Sequence, residues 1–191
     1  MFKNSFCFIN AHFASGQKKI KQRNLNFDYI KSINLFTNIN YLPQTSDIVI
    51  FLGDFNYRIN LIKNYALKCI EQDLIEKLLK NDQLLKEKQE SNVFKGYTEA
   101  EIKFPPTYKF DKNTNNYDTS KKNRIPAYCD RILFKLSVEN KFEIQKYICK
   151  SDELISDHRP VLASLVVQIN QNKLKFSKVV KYNLLDWKYD N

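Results

Sequence analysis

Residues 51–59 read FLGDFNYRI, and this stretch decides how the rest of the chain is organised. Just upstream, residues 47–52 (DIVIFL) form a continuous apolar run with β-branched members, the pattern of a strand buried on both faces. Gly53 interrupts it, and Asp54 and Asn56 follow with Phe55 between them. On an extended chain, residues i and i+2 point the same way. A carboxylate and an amide are therefore expected to project together from the end of a strand, where a rigid scaffold commonly carries chemistry. Such a pair can orient a water with the carboxylate and hold a phosphate oxygen with the amide. Glycine, aspartate and asparagine are also ordinary turn residues, so this stretch alone leaves both readings open.

Outward from this strand the pattern is mixed. Residues 5–10 (SFCFIN) read as a strand, with Asn10 and His12 just past its end. Residues 23–36 place Leu25, Tyr29, Ile30, Ile33 and Phe36 on a helical stripe. Residues 61–90 are helical in their leucine and isoleucine spacing, with a break expected at Asn81-Asp82. Two prolines make residues 96–110 strand or loop, and residues 111–124 form a polar, then basic, loop. Residues 125–136, 142–149 and 161–169 read as further strands, the last a core strand. Strands with helices after the first and third segments, then strands in succession, predict an α/β (α+β) sandwich and not a doubly wound sheet.

At 191 residues the chain is sized for one domain. The formal charge of +10 favours anionic partners such as nucleic acid, a phospholipid surface or a phosphorylated substrate. Cys7, Cys69, Cys129 and Cys149 are widely spaced and form neither a zinc motif nor a small disulfide framework. With no apolar run of membrane-spanning length and no signal-type start, the reading is a reduced cytoplasmic protein, peripheral at membranes.

Only two histidines occur, His12 and His158, each beside a strand. His158 directly follows Asp157, and Asp130 begins another strand. An acid that fixes an imidazole's tautomer and favours its protonated form is a recurring device for proton transfer and for binding a developing anion.

Five segments then occur in order: NAHFAS (10–15), FLGDFNYRI (51–59), FPPTYKFD (104–111), SKKNRIPAYCDRIL (120–133) and SDHRPV (156–161). Together they resemble the inositol polyphosphate 5-phosphatases of the exonuclease–endonuclease–phosphatase superfamily. GDFN and SDH alone would admit a nuclease, whereas the third and fourth segments are specific to the phosphatases. The resemblance reaches to about residue 169. It implies a DNase I-like catalytic domain over residues 1–169, followed by an extension over 170–191.

The resemblance also implies roles. Asp54 would orient or deprotonate the attacking water, and Asn56 would contact the scissile 5-phosphate. His12 would bind a phosphate oxygen. His158 would stabilise the pentavalent transition state or act as base, steadied by Asp130. Asn10 stands with the substrate-binding residues, and Tyr108, Lys109, Lys122 and Arg124 would grip the neighbouring 4-phosphate. Mg²⁺ is the implied cofactor, with Asp157 beside it. The implied partners are a phosphoinositide or inositol polyphosphate and, peripherally, an anionic membrane. No nucleic acid is expected, and the oligomeric state is left open.

Some positions depart from the family pattern. Phe51 and Tyr128 stand where tryptophan is usual, and Phe13 where leucine is usual; all three keep apolar bulk. The family's metal-anchoring glutamate precedes the Asn-x-His motif, and Asn10 is the tenth residue here. The reading is therefore the C-terminal portion of the catalytic domain with the N-terminal part of the fold absent, weak Mg²⁺ binding and exposed strand faces. Two alternatives stay beside it: a nuclease of the superfamily, and a catalytically dead remnant that binds anionic head groups.

Overall fold

β2 (Ile48–Asp54) is the strand around which the other elements assemble. A computed structural model of the chain describes residues 5–34, 42–136 and 141–168. On one side of β2 lies β1 (Phe6–Asn10), in parallel, with Asn10 opposite Leu52. On the other lies β4 (Asp130–Leu136), antiparallel, with Asp130 opposite Asp54. The two-residue β3 (Thr98–Glu99) completes the order β1-β2-β4-β3. A second sheet pairs β5 (Lys141–Cys149) with β6 (Val161–Gln168), antiparallel.

Alternation along β2 divides its environment. Val49 and Phe51 enter an aromatic core with Phe13, Phe27, Phe55 and Phe94, where the Phe27 and Phe94 ring centroids lie 4.2 Å apart. Ile50 and Leu52, on the face that ends at Asp54, are only half-buried. The expectation of burial on both faces therefore holds fully on one face and partly on the other. Phe6 and Phe8 of β1 share that second face through their pairing with Ile48 and Ile50, and both are exposed. The two sheets are joined over β4. The Tyr147 hydroxyl donates to Glu99 Oε1 (2.9 Å) and accepts from the Ile132 N–H (3.3 Å).

The helix after β1, α1 (Ile20–Ser32), differs from its expected stripe. Its buried residues are Arg23 and Phe27, flanked by the partly buried Ile20 and Ile30, whereas Leu25 and Tyr29 are 65% and 70% exposed. Arg23 can face inward because both of its guanidinium Nη groups find acceptors there, although its buried Nε has none. It donates to the carbonyls of Ala14 (3.1 Å) and Gly16 (2.7 Å) and to Gln83 Oε1 (2.6 Å). Phe36 lies outside the described residues, as does the chain from 169 onward.

The long helical region resolves into α2 (Lys63–Glu71), α3 (Ile75–Leu79) and α4 (Gln83–Gln89). Asp73, at φ +52, makes an additional break. The break expected at Asn81-Asp82 is present, and Asp82 caps α4 by accepting from the Leu85 N–H at 2.9 Å. Asp82 is itself fully buried against Arg131 of β4 (2.9 Å), whose guanidinium also meets Glu99 (2.6 Å). This ion network fastens the helical region to the strand that begins at Asp130.

Candidate active site

The register that sets Asp54 opposite Asp130 places two carboxylates at one end of the sheet. The segment 156–159 crosses this end and brings His158 between them. His158 Nδ1 lies 2.9 and 3.1 Å from the two carboxylate oxygens of Asp130, and Nε2 lies 3.9 Å from Asp54 Oδ2. Thr107 donates its hydroxyl to Asp130 Oδ2 at 2.6 Å. With Nδ1–H given to Asp130, Nε2 is the end of the ring presented to Asp54. The remaining gap is too long for a direct hydrogen bond and suits a bridging oxygen. An open cleft of about 280 Å³ lies here, lined by Asp54, Asp130, Ser156 and His158 with apolar walls at Leu52 and Ile132.

The electrostatics follow from this crowding. Burial, with the neighbouring charge of Asp130, raises the Asp54 carboxyl above its ordinary value against the pull of His158 and His12. Burial alone would lower the His158 imidazole. The hydrogen bond and charge of Asp130, with Asp54 and Asp157 nearby, hold it above its ordinary value instead. His12 Nε2 lies 3.4 Å from Asp54 Oδ2 on a ring that is 74% exposed. Its loop is laced to β2 by Phe13 N–H donating to the Asp54 carbonyl (2.9 Å) and Ala11 N–H to the Leu52 carbonyl (3.0 Å). Asn10, exposed at the end of β1, sits beside Gly53.

Asp54 and Asn56 do face each other, but through a turn and not along an extended strand. Asn56 adopts φ +55. Its N–H donates to Asp54 Oδ1 (2.9 Å), and its side-chain Nδ2 donates to Asp54 Oδ2 (3.1 Å) and to the Phe13 carbonyl (3.2 Å). Its Oδ1 accepts from Arg58 Nη2. At 3% exposure the amide is engaged at both ends, and what it holds is the Asp54 carboxylate.

The basic arm is built on residues 107–110. Tyr108 exchanges backbone hydrogen bonds with Ala127 (3.2 and 2.7 Å), and its ring lies 4.7 Å from that of His158. Lys109 Nζ meets Asp157 Oδ2 at 2.5 Å. Burial would raise the Asp157 carboxyl, but the hydrogen bond and charge of Lys109, with His158, bring it below its ordinary value. Lys122 and Arg124 stand on a loop organised by buried Asp118. The Asp118 N–H donates to the Lys109 carbonyl (2.9 Å), and its carboxylate accepts from the N–H groups of Ser120 (3.1 Å) and Arg124 (2.6 Å). From α2, Lys63 Nζ donates to the Asp118 carbonyl and to Asn123 Oδ1 (2.7 Å).

The structure thus brings Asp54, Asn56, Asp130, His158 and His12 together, with Tyr108 against His158. It ties the backbone of Lys109 to the loop of Lys122 and Arg124. Thr107, Arg58, Asp118 and Lys63 join the site although the sequence reading does not single them out. Thr107 and Arg58 lie inside the quoted segments. Lys63 carries no sequence signal, because its partners are 55 and 60 residues away. Asp157, expected beside a metal, is the partner of Lys109. Among the described residues no group of three or more histidine, cysteine, aspartate or glutamate side chains is placed to hold a metal ion. All four cysteines are free, and no described helix is long and apolar enough to cross a membrane.

Comparison with known proteins places the chain in a family. The family model described as Endonuclease/Exonuclease/phosphatase family 2 matches residues 1–164. Synaptojanin of Caenorhabditis elegans is 39% identical over 170 residues, covering 88% of this chain and 15% of that protein. The crystal structure of the inositol polyphosphate 5-phosphatase domain of SPsynaptojanin, in complex with inositol (1,4)-bisphosphate and calcium ion, superposes with a TM-score of 0.79 at 36% identity. The match covers 89% of this chain and 50% of that one. The ferrous NO complex of Cimex nitrophorin is also similar, at 27% identity and a TM-score of 0.64, over 86% of this chain and 55% of that one. The chain therefore spans half or less of the length of the 5-phosphatase relatives it matches. Its fold is the α/β (α+β) sandwich that the sequence pattern predicts, of the DNase I-like kind that the family resemblance implies.

Proposed function

The chain belongs to the endonuclease/exonuclease/phosphatase family 2, on the side of the inositol polyphosphate 5-phosphatases, and on that premise we propose that it hydrolyses the 5-phosphate of a phosphoinositide or inositol polyphosphate. The observation that carries the reading is the Asp54–His158–Asp130 constellation, with the Lys109 arm beside it. The nitrophorin likeness shows that the fold alone does not select this chemistry.

On this reading each group has a task. Asp54, held by Asn56, orients the attacking water and takes its proton as the new P–O bond forms and the bond to the inositol oxygen breaks. The leaving oxygen is protonated from solvent. His158, whose protonated form Asp130 favours, stabilises the charge that develops on the phosphoryl oxygens. His12, on the exposed side of Asp54, supplies a further donor to the phosphate. Asn10 lines the same edge. Lys109, Tyr108, Lys122 and Arg124 hold the 4-phosphate, Arg by a bidentate fork and Lys as a point charge.

Asn56 acts here by positioning Asp54, in place of the direct phosphate contact expected from sequence. The neighbour crystallised with calcium supports a divalent requirement, and Mg²⁺ is the ion we propose. The described residues do not assemble a Mg²⁺ cage: that ion wants near-octahedral oxygen ligation, while Asp157 is committed to Lys109. None of the tasks assigned to these residues runs through the metal. The net charge of +10 supports cytoplasmic action at the surface of an anionic membrane.

The test is phosphate release from phosphatidylinositol 4,5-bisphosphate and from soluble inositol 1,4,5-trisphosphate with Mg²⁺, comparing wild type with Asp54→Ala. Release that falls about 10²–10⁴-fold in the variant supports the assignment. A second reading, head-group binding without turnover, draws on the Lys109–Asp157 ion pair. It predicts salt-sensitive vesicle binding by a folded protein that releases no phosphate.

A further inference from the structure

Arg58 is buried at 5% exposure, and its guanidinium meets no carboxylate among the described residues. It lies between the two arms of the site. On one side Nη2 donates to Asn56 Oδ1, and Nε donates to the Asn56 carbonyl at 3.0 Å. On the other, its central carbon stacks 4.4 Å from the centroid of the Tyr108 ring, and that ring lies 4.7 Å from His158. Its own N–H is pinned by Gln83 Oε1 at 2.9 Å, the same oxygen that receives Arg23.

An asparagine amide has one accepting end and one donating end. A guanidinium only donates, so the end that faces Arg58 must be oxygen. Nδ2 is then turned towards Asp54 Oδ2 and the Phe13 carbonyl, both acceptors. Were the amide reversed, two oxygens would meet at Asp54 and two donors at Arg58.

We propose that Arg58 is a positioning residue of the site: it fixes the direction of the Asn56 amide, and through it the Asp54 carboxylate, while bracing Tyr108 against His158. The amide geometry stands independently of the reaction. Its consequence for turnover rests on the phosphatase reading.

The decisive measurement is NMR of the assigned Asn56 side-chain NH₂ in the folded chain, for wild type, Arg58→Met and Arg58→Lys. In wild type both protons exchange slowly with solvent. In Arg58→Met their exchange accelerates by about tenfold or more, the equivalent of one hydrogen bond, while core amides are unchanged. If the methionine variant does not fold, Arg58→Lys carries the same readout, because one ammonium cannot hold both Asn56 oxygens as the fork does.

Turnover of inositol 1,4,5-trisphosphate adds a second reading. Arg58→Met should lower kcat by about 100-fold with KM within about threefold, and in an Asn56→Ala background should cost no more than about threefold further. An unaltered Asn56 amide in a folded Arg58 variant overturns the proposal, as does full additivity with Asn56→Ala. If wild type releases no phosphate, the phosphatase reading fails, and the amide measurement still decides the role of Arg58.

Discussion

Asp54 and Asp130 are register partners across β2 and β4, and His158 engages them with different ends of one ring. Nδ1 lies 2.9 Å from Asp130, and Nε2 lies 3.9 Å from Asp54. The ladder between the strands therefore sets the spacing of the two carboxylates. One carboxylate is spent on the histidine, which leaves the other, raised by burial and by its neighbour's charge, to face the cleft.

Asp130→Asn removes the charge that holds the His158 imidazole above its ordinary value. NMR titration of His158 should show its pKa lower in the variant than in wild type. The stability consequence has a definite sign. A folded imidazole that binds its proton more tightly than the unfolded one contributes fully below the unfolded pKa of about 6.5. That contribution is lost as pH rises through the folded value. The gap in unfolding free energy between wild type and Asp130→Asn should accordingly be wider at mildly acid pH and narrow towards alkaline pH. An unshifted His158 titration would remove Asp130 from its assigned role.

Lys109 and the Lys122–Arg124 loop are coupled through Asp118, whose N–H holds the Lys109 carbonyl while its carboxylate holds the loop. Lys109→Ala should weaken discrimination for substrates that carry a 4-phosphate. Asp118→Ala should do the same at a distance, since Lys122 and Arg124 lose their support. It should also cost about 1–3 kcal/mol of stability, because the N–H groups of Ser120 and Arg124 lose their charge-assisted hydrogen bonds to the buried carboxylate. Steady-state kinetics on paired substrates with and without the 4-phosphate checks both variants. Equal losses on the two substrates would argue against a 4-phosphate contact.

The grouping of Asp54, Asn56, Asp130, His158 and Lys109 is legible in sequence because each lies in one of the five ordered segments that together resemble the 5-phosphatases. What sequence does not convey is direction. The i, i+2 spacing predicts Asp54 and Asn56 side by side on an extended strand, yet the chain turns at Asn56 and the amide folds back onto the carboxylate. Arg23 lies off the stripe expected for α1, and its burial rests on the carbonyls of Ala14 and Gly16 and on Gln83 Oε1, all brought from outside the helix. The helical stripe assigns Leu25 and Tyr29 to the core in its place. Lys63 reads as one more helical lysine until folding delivers the Asp118 loop to it. Local spacing reveals types and order, and long-range partners decide which way a polar group faces.

Arg131 is fully buried with Asp82 and Glu99, and Tyr147 donates to the same Glu99. Arg131→Met keeps much of the side-chain volume but strands two buried acids, so it should cost about 3–5 kcal/mol. Urea unfolding should show a lower midpoint with an unchanged slope. Because Arg131 follows Asp130 directly, the same variant should lower turnover at temperatures where it is still folded. A cost below about 1 kcal/mol would mean that the acids find other partners or protons on unpairing.

Gly53 separates the Asp54 end of β2 from the loop of His12, and the separation leaves no room for a side chain. A Cβ there would fall 2.2 Å from the Ala11 carbonyl oxygen and 2.8 Å from Asn10 Oδ1, on a backbone at φ +129. Gly53→Ala must therefore push the β1 exit away from β2 as well as strain the backbone, a cost of at least about 1–3 kcal/mol. The displacement falls on the Ala11 N–H bond to the Leu52 carbonyl and on the approach of His12 to Asp54. Relieving it moves Asn10 and His12 outward while Asp54, Asp130 and His158, held by β2, β4 and the 156–159 segment, keep their places. The expected outcome is a protein with a lowered melting temperature, a His158 titration like that of wild type, and turnover reduced through loss of the His12 side of the site. A Gly53→Ala variant with wild-type stability and kinetics would show that the β1 exit is not fixed against Gly53 in solution.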